Sequence, residues 1–208
     1  MECKYKMLAL PAALAVSAVY LTSCNSSEAQ TPVFTLSSPD LASGTFATKF
    51  ILNGFGCTGG NVSPQLQWSN APAGTVSYAL QVYDPDAPSG SGFWHWAVYN
   101  IPVGTTGLAQ GAGNSPAMLP AGAFGGNTDF LDTGATGGNG NYGGPCPPVG
   151  DPPHHYIFTL YALSVPQLEV AGGVPKTGTA ALYGFVLGRA GLGPAVLGKA
   201  TFTATYGR

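Results

Sequence analysis

The chain has 208 residues, of which 8% are charged and 45% are hydrophobic, and its formal net charge is −2. This composition excludes a disordered chain and a basic surface that would attract nucleic acid. The 31 glycines and 18 prolines argue against long helices and for short strands joined by turns.

The N-terminal residues 1–23 are predicted to be a signal peptide of the lipoprotein type. Lys4 and Lys6 form a positive start, and the apolar run after them is too short for a comfortable membrane span. The run ends in "LTSC", which resembles a lipobox and makes Cys24 the predicted lipidation site. Cleavage after Ala29, which would release a soluble protein, is the alternative.

Residues 24–32 are predicted to form a polar tether, and residues 33–208 one domain. Asn25 is not the aspartate of an inner-membrane retention signal, so an outer-membrane anchor on the periplasmic side is favoured. Export places the mature chain in an oxidising compartment, where Cys57 and Cys146 are expected to form a disulfide. Two separate buried thiols are the alternative.

The predicted elements of the domain are mostly strands. β-type runs predict strands at Ser77–Asp84, 93–101, His154–Leu163 and 198–207, and a short helical turn is predicted within 182–193. Residues 122–144 are rich in glycine and asparagine, which predicts irregular structure. These runs indicate a mainly β class with antiparallel strands and one or two short helices.

The strand at 93–101 is apolar on both faces, which predicts an interior position in a sheet. Strict alternation predicts one face made of His95, Ala97 and Tyr99. The opposite face would hold Trp94, Trp96 and Val98.

Two segments of this charge-poor chain collect all three histidines, "DPDAPSGSGFWHW" and "GGPCPPVGDPPHHY". In each, a proline-rich turn with aspartate leads into a strand with histidine, so His95 and His154 would meet if the strands were neighbours. Such a cluster would bind an anion if the aspartates kept the histidines protonated and Tyr156 donated its hydroxyl. Metal binding, acid–base catalysis and a purely structural tie remain alternatives.

The same segments, with the closing "LGKATFTATYGR", resemble the phosphatidylethanolamine-binding proteins, whose bacterial branch is often called Raf-kinase-inhibitor-like. The resemblance implies a single antiparallel β-sandwich-like domain with short peripheral helices. It also implies a small preformed pocket for phosphate-like anions and phospholipid head groups. By position, the predicted ligand-binding residues are Asp84, Asp86, Ala87, Phe93, His95, Pro148, His154 and Tyr156.

The expected function is therefore that of an exported, non-enzymatic binding module for a small phosphate-bearing ligand. No cofactor, metal or nucleic-acid partner is predicted, and membrane contact is expected only through the N-terminal lipid. A role as inhibitor or regulator of a kinase or protease follows from the family resemblance alone. A metal-assisted or acid–base hydrolase that uses the same pocket is the alternative. The run "NTDFLD" and the long glycine-rich segment depart from the family pattern at the pocket rim.

Overall fold

The structure is a computed structural model and describes residues 32–131, 133–136, 140–188 and 195–208. The predicted signal peptide, the lipidation site Cys24 and all but the last residue of the tether lie outside these ranges. One compact unit spans Val33–Arg208. None of the described helices is both long enough and apolar enough to cross a membrane.

Short strands and two short helices make up the described part of this unit, as the glycine and proline content predicts. The strands, in chain order, are β1 (Thr35–Ser37), β2 (Asn53–Gly54), β3 (Cys57–Thr58), β4 (Leu66–Ser69), β5 (Ser77–Asp84), β6 (Phe93–Pro102), β7 (Gly107–Leu108), β8 (Phe124–Gly125), β9 (His154–Leu163) and β10 (Val196–Tyr206). The helices are α1 (Leu168–Gly172) and α2 (Ala180–Gly188), and single 3-10 turns lie at Pro39–Leu41, Thr48–Phe50, Ala112–Asn114 and Pro116–Met118. The four predicted strands are confirmed, with ends that differ by no more than about two residues. The predicted helical turn begins earlier, at Ala180, and its continuation over 189–193 lies outside the described residues.

A central sheet of five antiparallel strands, in the order β10–β9–β5–β6–β8, organises the fold. One of its faces packs against the small sheet β1–β4–β7. Leu36 and Trp68 of the small sheet share a buried cluster with Leu80 and Val98 of the central sheet. The mainly β, antiparallel sandwich-like class is confirmed.

The opposite face of the central sheet is covered by the two helices. Ala79 and Tyr99 share a second buried cluster with Leu168 of α1 and Tyr183 of α2. The rings of Tyr99 and Tyr183 stack with their centroids 4.0 Å apart. The central strands are thus buried on both faces, which is why their sequences are apolar almost throughout.

Strand β6 contains a β-bulge, and the inserted residue is His95. Val82 of β5 faces Trp96, and the next residue, Tyr83, faces Trp94, so His95 is the extra residue between the two pairs. An inserted residue shifts the side-chain alternation by one position. Trp94 therefore packs on the helix side and Trp96 between the sheets. The strict alternation predicted for 93–101 is wrong at this point.

Residues 122–144 are mainly irregular where they are described, as predicted, but they include the two-residue edge strand β8. Several of their glycines are required by close approach, among them Gly143 and Gly144. A Cβ on Gly143 would lie 2.1 Å from the ring of Phe130, and one on Gly144 would lie 2.3 Å from the carbonyl oxygen of Phe50. Because neither position has room for a side chain, glycine lets this segment pass beside the start of β6.

Candidate functional site

A pocket opens at one end of the central sheet, with a cavity volume of about 140 Å³. Of the eight residues predicted to bind a ligand, seven line it: Asp84, Ala87, Phe93, His95, Pro148, His154 and Tyr156. Asp86 is not among the lining residues. The rest of the lining consists of residues that the sequence analysis did not select: Leu52, Phe55, Pro88, Phe130, Gly144, Cys146 and Pro147.

Three strands bring the polar residues of the pocket together. β5 ends at Asp84, β6 begins at Phe93 and β9 begins at His154. β5 lies between β6 and β9, so these two strands are not neighbours. His95 and His154 instead meet on either side of Asp84.

The carboxylate of Asp84 is the centre of the polar cluster, and the residue is only 2% exposed. Its Oδ1 accepts hydrogen bonds from the backbone N–H groups of Asp86, at 2.9 Å, and Ala87, at 3.1 Å. This is the pattern by which aspartate stabilises a turn, and it explains the aspartate that opens "DPDAP". Its Oδ2 lies 2.8 Å from Nδ1 of His154 and 3.9 Å from Nε2 of His95.

His95 is held against the glycine-rich segment. Its Nδ1 lies 2.9 Å from the carbonyl oxygen of Gly143, and the backbone N–H of Gly143 donates to the His95 carbonyl at 3.0 Å. Burial lowers the pKa of His95 below its ordinary value of 6.5, although Gly143, Asp84 and Asp129 act in the opposite direction. Desolvation thus opposes the expected protonation of this histidine, whereas the nearby acids favour it.

His154 lies between two acids. Besides the contact of its Nδ1 with Asp84, its Nε2 is 3.4 Å from Oδ2 of Asp151, which comes three residues earlier in the chain. The side chain of His154 is 4% exposed, whereas that of Asp151 is 38% exposed. Asp151 therefore connects the buried cluster to solvent. The sequence carries the signal for it, since it lies in "GDPPHH", but it was not predicted as a site residue.

Asp86 belongs to a different pair. Its Oδ2 accepts from the backbone N–H of His155 at 2.7 Å and lies 2.8 Å from Nδ1 of the same residue. These hydrogen bonds lower the pKa of Asp86. Both side chains of the pair are exposed, so Asp86 supports His155 rather than a pocket histidine.

Tyr156 contributes a hydroxyl without a partner. The residue is 1% exposed, and its ring contacts His95 edge-on with the centroids 5.0 Å apart. Within the described part of the chain, no group lies in hydrogen-bonding geometry with its hydroxyl oxygen. Burial raises the pKa of Tyr156, and Asp84 raises it further, by its charge and as a nearby acceptor for the phenol hydrogen. The phenol therefore keeps its proton and is available as a hydrogen-bond donor in the pocket.

Aromatic rings form one wall. Phe93, which was predicted, packs edge-on against Phe130 at 4.8 Å, and Phe130 also contacts His95 edge-on at 5.4 Å. Phe55 stacks on Phe130 at 5.9 Å and is 54% exposed. Phe130 lies in the run "NTDFLD", which departs from the family pattern, and it was not predicted to line the pocket. The wall therefore draws on a segment that has no recognisable strand or helix signal.

A disulfide and an arginine hold the opposite rim. Cys57 and Cys146 are bonded, as predicted, and their Cα atoms are 6.0 Å apart. Arg208 donates from Nε to the carbonyl oxygen of Pro147 at 2.6 Å and from Nη2 to that of Phe55 at 3.2 Å. Because Phe55, Cys146 and Pro147 all line the pocket, these links fix its shape.

The donor set does not form a recognisable metal centre. Among the described residues, no group of three or more His, Cys, Asp or Glu side chains is arranged to hold a metal ion. The two cysteines are bonded to each other, and Asp84 is already occupied by two backbone N–H groups and His154. Among the described polar side chains of the pocket, the buried hydroxyl of Tyr156 and Nε2 of His95 are not engaged by the hydrogen bonds described above.

Comparisons with known proteins match this domain over nearly its whole length. The profile of the family described as phosphatidylethanolamine-binding protein matches residues 38–206. The protein YbcL of Escherichia coli is 44% identical over 161 residues, which make up 76% of this chain and 82% of YbcL. The crystal structure of YbcL superposes with a TM-score of 0.72 at 40% identity and covers 84% of this chain and 98% of its own.

Two further relatives extend the comparison. A candidate phosphatidylethanolamine-binding protein homologue of Chlamydia trachomatis has a solved structure with a TM-score of 0.63 at 26% identity, covering 84% of this chain and 97% of its own. A candidate lipoprotein of Mycobacterium tuberculosis, LppC, is 44% identical over 112 residues, or 53% of this chain and 48% of LppC.

Proposed function

Because the chain belongs to the phosphatidylethanolamine-binding protein family, we propose that it is a binding module without catalytic activity. Its pocket would take a small phosphate-like anion, either free or as the head group of a phospholipid. The observation that carries the proposal is the buried Tyr156 hydroxyl, which has no partner in hydrogen-bonding geometry among the described residues, on a ring that contacts His95 in the pocket wall. A buried donor without a partner is costly, and a ligand oxygen would satisfy it.

The size and walls of the pocket support a small polar group. Its volume of about 140 Å³ is below the roughly 300–1,000 Å³ typical of pockets for drug-sized ligands, but a phosphate group is far smaller than these ligands. The aromatic wall of Phe93 and Phe130 makes one side of the cavity apolar. Hydrogen bonds to a ligand are stronger in such surroundings than in water.

The charges of the pocket make binding depend on pH. The carboxylate of Asp84 repels an anion, and burial lowers the pKa of His95 and so disfavours its charged form. Binding of an anion therefore requires one proton, which is carried either by the ligand or by His95. Affinity should fall as the pH rises, because that proton becomes harder to supply.

Calorimetric titration of the full chain with phosphoethanolamine at pH 6 and pH 8 tests the proposal. We expect tighter binding at pH 6 and a loss of at least about tenfold on His95→Ala, which corresponds to roughly 1.4 kcal/mol. His155→Ala, which changes an exposed histidine outside the pocket, is the matched control and should leave the affinity unchanged. Equal affinity at both pH values, or no loss on His95→Ala, would contradict the proposal.

The same samples test the hydrolase alternative. Phosphorus NMR after the titration shows whether phosphoethanolamine is intact. Release of inorganic phosphate by the wild-type chain, but not by His95→Ala, would favour acid–base hydrolysis over simple binding.

For localisation we propose an exported protein anchored by a lipid on Cys24, with the outer membrane as the favoured site. The "LTSC" run, the disulfide of an oxidising compartment and the candidate lipoprotein among the relatives support this. Mass spectrometry of the mature N-terminus tests it. A lipid-modified Cys24 is expected, and an unmodified chain that begins after Ala29 would contradict it.

A further inference from the structure

The hydrogen bond to Gly143 determines which nitrogen of His95 carries a hydrogen. Nδ1 lies 2.9 Å from the Gly143 carbonyl oxygen. A carbonyl oxygen can only accept, so Nδ1 must be the donor. The ring is 5% exposed and packs against Phe93, Phe130 and Tyr156. Such desolvation favours the neutral ring, in which the other nitrogen, Nε2, carries no hydrogen and is a hydrogen-bond acceptor.

The acids around His95 give Nε2 no hydrogen bond. Asp84 Oδ2 is 3.9 Å away, beyond hydrogen-bond distance, and an ionised carboxylate is itself only an acceptor. Asp129, in the segment after β8, also acts on His95 electrostatically but donates nothing to it. Both acids would favour a proton at Nε2 if one were supplied.

The remaining polar groups of the pocket come from β9 and the turn before it. Nδ1 of His154 lies 2.8 Å from Oδ2 of Asp84, and its Nε2 lies 3.4 Å from Oδ2 of Asp151. The hydroxyl of Tyr156, which has no partner in hydrogen-bonding geometry among the described residues, is a donor beside the carboxylate of Asp84. Among the described polar side chains, the pocket therefore offers a ligand a donor at Tyr156 and an acceptor at Nε2 of His95.

We infer that the pocket selects phosphate monoesters that carry one hydrogen on the phosphate, and that it discriminates against phosphodiesters. The inference rests on the anion pocket proposed above. The P–OH group of such a monoanion donates to Nε2 of His95, while another phosphate oxygen accepts from Tyr156. A phosphodiester has no P–OH and presents only acceptors to Nε2. An intact phospholipid, whose head group is a diester, is accordingly a weaker ligand than a phosphate monoester.

The proton balance gives the size of the pH effect. A dianionic monoester binds by taking one proton from solvent, and this proton ends between the phosphate oxygen and Nε2. With a second phosphate pKa of about 6, roughly half of a monoester is monoanionic at pH 6 and about 1% at pH 8. The apparent affinity for a monoester should therefore fall roughly fiftyfold between these pH values.

The test uses the full chain and two probes that differ by one methyl group, methyl phosphate and dimethyl phosphate. NMR titrations at pH 6 and pH 8, in buffers free of phosphate, measure both affinities. We expect methyl phosphate to bind at least about tenfold more tightly than dimethyl phosphate at pH 6. Nitrogen-15 spectra of labelled histidine should show Nδ1 protonated and Nε2 without a covalent hydrogen, both before and after binding.

Two variants separate the roles of the polar groups. Tyr156→Phe should weaken both probes about equally and leave the pH dependence of methyl phosphate unchanged, because it removes the donor and keeps the acceptor. His155→Gln should change neither affinity. If Tyr156→Phe abolished the pH dependence, the proton would not lie at His95 and the inference would be wrong.

The outcomes distinguish the inference from the proposal beneath it. If dimethyl phosphate binds as tightly as methyl phosphate and Nε2 becomes protonated in the complex, the selectivity is overturned and the anion pocket stands. If neither probe binds at pH 6 or pH 8, the anion pocket itself is contradicted, and the selectivity with it.

Discussion

Two histidine–aspartate pairs lie side by side at the end of the central sheet and have the same geometry in opposite surroundings. Asp84 Oδ2 lies 2.8 Å from Nδ1 of His154, and Asp86 Oδ2 lies 2.8 Å from Nδ1 of His155. The side chains of the first pair are 3–4% exposed and those of the second 42–58%. Adjacent residues of a strand point to opposite faces, so His154 enters the pocket and His155 faces solvent.

The difference shows that burial, rather than pairing, makes one of these pairs part of a site. In water, an exposed pair contributes about 0–1 kcal/mol and is screened by salt. In the pocket, the same side chains cannot be separated without leaving a charge or a polar group buried and unpaired. A pattern of residue types therefore identifies both pairs as candidates, and only the fold distinguishes them.

Removing the disulfide at the pocket rim should lower the free energy of unfolding more than either aspartate substitution, because the bond constrains the unfolded chain over a long loop. The bond joins residues 89 apart in sequence. Loss of such a constraint on the unfolded chain is expected to lower the free energy of unfolding by about 4–5 kcal/mol. Urea denaturation of the double variant Cys57→Ser, Cys146→Ser measures this.

The control for this prediction is the reductant itself. Dithiothreitol should destabilise the wild-type chain and leave the double variant unchanged. If the disulfide is what keeps the buried pair apart from solvent, the ring N–H of His154 should exchange with solvent faster in the double variant. An unchanged exchange rate would show that packing alone separates the two pairs.

Removing one aspartate at a time should have the next largest effect and compares the pairs directly. Asp84→Ala breaks a buried pair and frees two backbone N–H groups, so we expect a loss of about 3–5 kcal/mol in the free energy of unfolding. Asp86→Ala should cost less than about 1 kcal/mol, and salt should reduce even that cost. Similar losses from both substitutions, measured by denaturation at low and high salt, would mean that exposure does not distinguish the pairs.

A smaller loss of folding stability is expected at low pH, and it comes from His95. Its pKa is lowered in the folded protein from the ordinary value of 6.5, so below that pH the unfolded chain binds more protons than the folded one. Stability should therefore fall as the pH drops below about 6.5, by at most about 1.4 kcal/mol per pH unit for this group. His95→Gln should flatten the dependence between pH 6.5 and pH 5, whereas His155→Gln should preserve it. Denaturation midpoints across this range provide the measurement.

Most of the sheet could be predicted from the sequence, since the central strands are long apolar runs bounded by proline and glycine. Most residues that line the pocket could also be predicted, because the two motifs that carry the family resemblance lie at the ends of those strands. Their role as ligand contacts remains a prediction. Asp86 shows the limit of the motif, since its neighbour Asp84 faces the pocket and it does not.

Three features could not be predicted, each for a physical reason. No residue type marks the bulge at His95, because an inserted residue is recognised only from the register of the partner strand. Phe130 comes from an irregular segment whose path depends on close contacts at Gly143 and Gly144. The direction of the His95 pKa depends on the balance between burial and nearby acids, and burial is a property of the packed fold.

The disulfide at the rim of the pocket also bears on the order in which the chain can fold during its synthesis. Its two cysteines are 89 residues apart, and at synthesis rates of about 5–20 residues per second the second follows the first by roughly 4–18 s. During that interval Cys57 has no native partner, and the strand that supplies His154 and Tyr156 has not yet been made. The pocket is thus one of the last features that the growing chain can complete, and Cys57 must stay available until then.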